Sequence, residues 1–460
     1  MKNPVGIHAD ALRKADGDAL PGDNCVAAEK DIDEAYRGIT RRLMPLLFIC
    51  FVFNYIDRIN IGYAQLQMKP DLGFTDAIYG IGASIFYVGY LLFEIPSNLA
   101  MQRIGARKTL LRIMLLWGLT SASTMFIRTP LEFYVVRFLL GVFEAGFFPG
   151  IVLYLTFWYP AERRARIVAI FMSAGVTAGI VAGPLSGWII QHLNGLYGLK
   201  GWQWMYVLQG LPSSLLGIIA YCYLTDRPEQ AKWLSKRQRE LVASHLEPAR
   251  QREVASARGA LQAAWRIPSL YVLAYLYFAL NCGIYTLSFW LPSMIHGWGV
   301  SSIQAVGFYS LIPYSIGMLV MFWLARRSDA RGDHRRNVAA AACVGALGLA
   351  ATTFTPGSLW TSMALISAGA AGLISALPVF WAVATSMLPQ DAAPAGIATI
   401  TMASGLAGAI CPSLIGVLKT YAGSTAIGLY FVAALLLSGG IVMWRHRHLS
   451  VRASPAAVLE

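Results

Sequence analysis

Asp57 and Arg58 stand side by side in the run LMPLLFICFVFNYIDRINIGYAQ, and Arg137 and Glu144 stand seven residues apart in FYVVRFLLGVFEAGFFPGIVLYLTFW. Both runs are otherwise apolar enough to cross a bilayer. Ionised groups at such depth are costly and persist where they face a bundle interior, pair with one another or line a path for ions and solutes. Two acids and two arginines there suit the gripping of an anion, the exchange of a proton, or an ion-pair cluster that only holds helices together. Seven residues are 700° of helical rotation, so Arg137 and Glu144 share a face, about 10 Å apart along the axis. Counting the rise per residue puts Arg58 about 22 Å above the start of the first run and Arg137 about 9 Å below the end of the fourth. In hydrocarbon roughly 30 Å thick those depths coincide. Asp57 therefore reaches Arg137 if the two helices are neighbours, while Arg58, about 100° round its helix, faces elsewhere.

The four residues divide the work by chemistry. Arg58 suits a substrate carboxylate, because its planar fork donates parallel hydrogen bonds and stays ionised. Asp57 and Glu144 are acids in apolar surroundings, where ionisation depends on which partner is near, so a proton can be traded for a change of partner, with Arg137 as that partner. Tyr55, one turn before Arg58, shares its face and can add a hydroxyl. Glu94, about 25 Å down the second run, is placed for a gate rather than a ligand. In the later runs the candidates are polar or aromatic: Tyr277, Asn281 and Tyr285 form one stripe at spacings of four, and Trp381 and Thr385 form another. Such stripes also serve packing, but an amide like Asn281 among apolar residues requires a partner.

These residues need a scaffold of membrane helices. Of 460 residues, 56% are hydrophobic and 13% charged, and the mean hydropathy is +0.53, which excludes a soluble domain of this length. Runs long enough to span fall at about 43–64, 77–101, 109–127, 131–157, 167–190, 203–225, 267–295, 301–325, 337–355, 359–387, 395–418 and 424–444. The net charge of +13 invites a nucleic-acid partner, but its distribution gives another reason for it. Of 37 Lys and Arg, 31 fall in alternate connections and the two tails; Lys69, Arg128, Lys200 and Lys419 lie on the other side, and Arg58 and Arg137 inside. That bias places both termini in the cytoplasm. The six cysteines have neither disulfide nor metal spacing. No early apolar stretch resembles a cleavable leader, so the first span is expected to act as the targeting signal.

The chain divides into a cytoplasmic N-terminal tail (1–42, its first 30 or so residues read as unstructured), a six-helix half (43–225), a linker (226–266), a second six-helix half (267–444) and a cytoplasmic C-terminal tail (445–460). The linker holds nine basic and five acidic residues, and AKWLSKRQRELVASHL within it suits a surface helix. The halves echo one another. NLAMQRIGARK after the second run matches ARRSDARGDHRR after the eighth, and Gly179, Gly183, Pro184 and Gly187 in the fifth run match Gly405, Gly408, Pro412 and Gly416 in the eleventh. Internal symmetry of this kind is how many secondary transporters are built, with the solute site near the midplane between the repeats. Small residues at the spacing of Gly179 and Gly183 let helices approach closely, which is read as packing at a moving interface.

NYIDRINIGYA (54–64), FEIPSNL (93–99) and RFLLGVFEAGFFPG (137–150) carry a resemblance to the major facilitator superfamily. More narrowly, the chain resembles the anion:cation symporters, which include tartrate, phthalate and 4-hydroxyphenylacetate permeases, hexonate transporters and sialin-like carriers. The resemblance implies an all-α membrane fold of twelve helices in two pseudo-symmetric halves. It also implies that Asp57 and Glu144 take up protons and that Arg58 binds substrate. In the superfamily's loop after the second helix an acid precedes the basic residue; here Gln102 precedes Arg103, whereas the second copy keeps Asp329. Both positions are read as gating. The expected function is proton-coupled symport of a mono- or dicarboxylate, aromatic and hydroxy acids included, by alternating access. Protons are the coupling ion and no other cofactor is expected. The chain is expected to work as a monomer in the plasma membrane, the inner membrane of a bacterium, with the bilayer and a small organic anion as its partners and no nucleic acid. The alternative within transport is a proton-coupled antiporter exporting an organic compound. A membrane-embedded enzyme or receptor is remote, because no His, Cys and acid cluster has metal spacing and no nucleophile motif appears.

Overall fold

In hydrocarbon every backbone N–H and C=O must find its partner within the segment, so apolar runs of this length form helices. The structure, a computed structural model, describes residues 22–256, 265–355, 357–389 and 393–445. In chain order its α-helices are α1 (Gly22–Ile59), α2 (Ile61–Leu72), α3 (Asp76–Ile104), α4 (Ala106–Ser123), α5 (Pro130–Glu144), α6 (Phe147–Thr156), α7 (Ala161–His192) and α8 (Gly201–Tyr223). They continue with α9 (Lys236–Ser256), α10 (Pro268–Gly297), α11 (Ile303–Arg331), α12 (His334–Ala351), α13 (Leu359–Met387), α14 (Ala393–Ala422) and α15 (Ala426–Arg445). No strand occurs among the described residues. Taking α1 with α2 and α5 with α6 as single spans, and leaving α9 outside, twelve helical spans are long and apolar enough to cross a membrane.

Helix α1 reaches back through residues assigned to a tail. The sequence from Lys30 to Arg42 is too polar to lie in lipid, but Ala35, Tyr36 and Ile39 are buried, and the Tyr36 hydroxyl is 3.2 Å from His245 Nδ1 on the linker helix α9. Tertiary packing, not hydropathy, extends the helix. Arg42 lies over the rings of Tyr223 and Trp233, 4.4 and 5.0 Å from their centroids, which ties the linker to the first half. Of the first 30 or so residues expected to be unstructured, 22–30 are helical, contrary to that expectation, while those up to residue 21, like the C-terminal tail beyond 445, lie outside the described residues.

Helices α1–α8 pack among themselves, chiefly α4 on α8, α3 on α5 and α1 on α7; α10–α15 do likewise. The two halves meet where α3 crosses α14 and α7 crosses α11. Glycine makes that crossing close. A Cβ on Gly183 would stand 2.5 Å from the Gly307 carbonyl oxygen, so no larger residue fits without separating the helices. The start of α1 and the end of α15 lie at one end of the bundle, called here the base, and α3 begins at the opposite, far end.

One set of hydrogen bonds and an ion pair joins the halves toward the far end. Gln65 Nε2 and the Tyr79 hydroxyl both donate to the Phe289 carbonyl, at 2.7 and 2.9 Å. The Ala77 N–H donates to Thr420 Oγ1 and the Ser413 N–H to Ser84 Oγ, each at 2.9 Å. Gln191 accepts from Ser302 at 3.4 Å. Asp76 pairs with Lys69 of its own half and with Lys419 of the other, 3.2 Å away. The bundle is thus latched at the far end. Asp76→Asn is expected to loosen the latch by about 1 kcal/mol, a typical figure for such a pair, or about fivefold in population. A cysteine replacing the buried Ser84 should then react about fivefold faster with a polar maleimide from the far end; an unchanged rate would show that the pair carries none of the closure.

Candidate functional site

One interruption in otherwise regular helices sets the site. Past the Asp57–Arg58 pair the chain stays helical, Asn60 keeping φ −58°, ψ −32° between α1 and α2. Helix α5 ends on Glu144 itself, because Ala145 turns to φ −55°, ψ 130° and Gly146 to φ 86°, ψ 0° before α6 begins. Gly146 answers two demands at once: the positive φ, and a close approach by α3 that would set a Cβ 2.6 Å from Ser97 Oγ. Irregular backbone at membrane depth survives where protein covers it or where it lines a cavity.

Arg58 and Glu144 form the central ion pair, contrary to the expectation that Arg58 faces away from this span. Arg58 Nε donates to Glu144 Oε1 at 3.1 Å, and Nη2 pairs with the same oxygen. Glu144 Oε2 has no hydrogen-bond partner, and the carboxylate is completely buried, whereas the Arg58 side chain keeps 17% of its surface exposed. The guanidinium lies among three rings of α3, with Tyr90, Phe86 and Tyr87 centroids at 5.3, 5.5 and 5.9 Å. Rings at that distance offset part of the desolvation of the cation. The site therefore presents a cation with one part-exposed side and one side held by an acid.

Asp57 does not reach Arg137, contrary to the expectation from depth. Its Oδ1 accepts from Ser121 (2.9 Å) and Asn60 (3.2 Å), and its Oδ2 from Trp117 Nε1 (2.6 Å) and Ser213 (3.2 Å). The carboxylate points away from α5 toward α4 and α8, a direction that distance along the axis cannot give. Arg137 instead donates from Nε to the Gly82 carbonyl at 3.2 Å and lies 5.0 Å from the Phe86 centroid. Its Nη1 and Nη2 are buried without hydrogen-bond partners. Glu144 acts electrostatically on Arg58, on Arg137 and on Asp57, which makes it the shared member of the network.

The second half supplies a wall opposite. The Tyr285 ring lies 4.8 Å from that of Tyr87, and its hydroxyl is 3.0 Å from Ser404 Oγ, which in turn donates to Asn281 Oδ1 at 2.8 Å. Asn281 donates to the Tyr277 carbonyl at 2.8 Å, so the amide finds partners on both sides. Tyr277 stacks on Phe380 at 4.9 Å and meets the edge of Trp381 at 5.2 Å. Trp381 Nε1 is buried and unpartnered. Tyr277, Asn281, Tyr285 and Trp381 thus join one cluster with Arg58. Thr385 is exposed and spends its hydroxyl on the Trp381 carbonyl at 2.8 Å, which takes it out of the cluster.

Tyr55 faces α7, where a Cβ on Gly175 would stand 3.7 Å from its ring. Glu94 follows Tyr90 by one turn of α3, half-buried, with Arg58 as the cation acting on it. Arg103 is exposed at the end of α3, and Asp329 is exposed 4.0 Å from His334 Nδ1. Gly179, Gly183 and Gly187 all face α11, with Pro184 among them in α7. Sequence reasoning missed Tyr87 and Tyr90 beside Arg58, and Trp117, Ser121 and Ser213 around Asp57. The spacing of four between Trp117 and Ser121 on one apolar helix was the available signal.

A family model described as Major Facilitator Superfamily matches residues 47–412. A protein of Agrobacterium vitis named "Putative tartrate transporter" is 42% identical over 406 residues, covering 88% of this chain and 93% of its own. The "Quinolone resistance transporter" of Acinetobacter baumannii is 36% identical over 416 residues, 90% of this chain and 95% of its own. Among solved structures, a bacterial homologue of the human lysosomal transporter Spinster, inward-facing and occupied, superposes with a TM-score of 0.71 over 87% of this chain and 95% of that one, at 14% identity.

Proposed function

Since the chain belongs to the major facilitator superfamily and is a multi-pass membrane transporter, we propose that it takes up a small organic anion, a mono- or dicarboxylate, together with protons, by alternating access. The observation that carries this reading is the Arg58–Glu144 pair: a part-exposed guanidinium facing the other half, neutralised by a fully buried acid with a free oxygen. A substrate carboxylate competes with Glu144 for Arg58. A proton arriving on Glu144 cancels the charge that holds Arg58 and frees the fork for substrate; loss of the proton lets Glu144 reclaim it and expel substrate. Uptake of anion and proton are thereby tied to one guanidinium. The relative named for tartrate supports the carboxylate class. The far-end latch makes the base the side of entry in this proposed cycle, and the basic bias of the base end favours both termini in the cytoplasm. Monomeric function in a bacterial inner membrane belongs to the same proposal.

Proteoliposomes test it by sign. With labelled tartrate outside, symport predicts accumulation when the external medium is acidic and the lumen alkaline, abolished by a protonophore. The relative named for quinolone resistance favours the other sign, export by proton exchange, in which an acidic lumen drives uptake. Accumulation only with an acidic lumen would establish that second reading.

A further inference from the structure

A groove of about 620 Å³ runs between the base ends of α1 and α7, away from the Arg58 site. Its lining carries four arginines, Arg37, Arg41, Arg163 and Arg166, against two acids, Asp33 and Glu162. Arg37 and Arg41 are four apart and so lie on one face of α1, and Arg166 approaches from α7. Among the described residues neither Arg41 nor Arg166 has an ion-pair partner; Arg163 in the same groove is taken by Asp33 at 2.5 Å. Its upper wall is apolar, with Ile167 buried and Ile170 42% exposed.

The direction of the groove follows from helical rotation. At 100° per residue, Arg163, Arg166, Ile170, Val181 and Trp188 lie within about 40° of one line along α7. Val181 and Trp188 are 42% and 47% exposed, whereas Gly179 and Gly183 face α11 from the opposite side of the helix. The line therefore faces outward to lipid, not inward to the solute path. Guanidinium forks at the edge of the apolar runs, continuing into an exposed apolar stripe, match a ligand with a phosphate at one end and hydrocarbon at the other. We propose that this groove binds one anionic phospholipid, its phosphate held by Arg37, Arg41 and Arg166 and an acyl chain lying along Ile170 toward Val181.

The purified protein in detergent is titrated with phosphatidylglycerol and, separately, with phosphatidylcholine of the same chains, and bound lipid is counted by native mass spectrometry. Phosphatidylglycerol should bind at least about tenfold more tightly than phosphatidylcholine, and millimolar inorganic phosphate should not displace it. The double variant Arg41→Gln/Arg166→Gln should lose about tenfold or more of that affinity. Ile170→Trp, which fills the groove and leaves every arginine in place, should weaken binding too, so the proposal survives a poorly folding double variant. Displacement by inorganic phosphate would mark a free-anion site and overturn the lipid assignment. Wild-type affinity for phosphatidylglycerol in both variants would overturn the site.

Discussion

Arg58→Lys should lower affinity for the transported carboxylate at least about tenfold while leaving the protein folded. In the structure Arg58 gives Nε and Nη2 to a single oxygen of Glu144, which leaves Nη1 for a second anion during the exchange. Lysine keeps the charge but offers one compact nitrogen that cannot serve both acids in a fixed plane. Losing one charge-assisted hydrogen bond costs about 1.5–3 kcal/mol, and 1.4 kcal/mol is a factor of ten. Titration of the purified variant with a panel of carboxylates, read as a shift in Tm, gives the comparison. Should Arg58→Lys bind like the parent while a folded Arg137→Lys binds nothing, the two arginines would exchange roles.

Glu144→Gln should abolish accumulation driven by a pH gradient and preserve counterflow between equal pools. Glutamine has nearly the shape of the protonated acid. Its amide oxygen can still accept from Arg58 where Oε1 does, and its nitrogen takes the place of Oε2, the oxygen with no partner. The variant is held in one protonation state. Exchange of loaded carriers needs only that state, but net uptake requires a proton to leave, so only net uptake fails. Both assays run on the same vesicles, and normal proton-driven accumulation in the variant would remove Glu144 from coupling.

Asp57 shows where the sequence stopped being readable. Rise per residue gave an expected depth level with Arg137, yet its neighbour Arg58 meets Glu144, about two turns along α5 from Arg137; nor could it give the direction of the carboxylate, because helix rotation depends on neighbours whose order the chain does not spell out. Trp117, Ser121 and Ser213 take that carboxylate, so a substitution at Asp57 strands buried donors on α4 and α8 instead of breaking a pair with Arg137. The twelve spans were legible because lipid imposes one length and one composition on each. The start of α1 at Gly22, inside the stretch read as unstructured, was not legible, because that helix is held farther along by the burial of Ala35, Tyr36 and Ile39 and by the contact of Tyr36 with the linker, which hydropathy does not encode. Gly146 was legible as a glycine in a motif but not as the end of a helix: its positive φ becomes necessary only because Ser97 crowds the same point.

On the proposed mechanism, the latch around Asp76, Lys419 and the Phe289 carbonyl makes the carrier sided even though one site serves both faces. In the proposed cycle a carboxylate entering from the base reaches Arg58 without opening the latch, whereas one arriving at the far end can bind only those molecules whose latch has opened. Apparent affinity from that side is divided by the open fraction, so a state populated at about 1% appears about a hundredfold weaker with no change in any contact to the ligand. Half-saturation measured from the two faces of the membrane should therefore differ by the latch free energy alone.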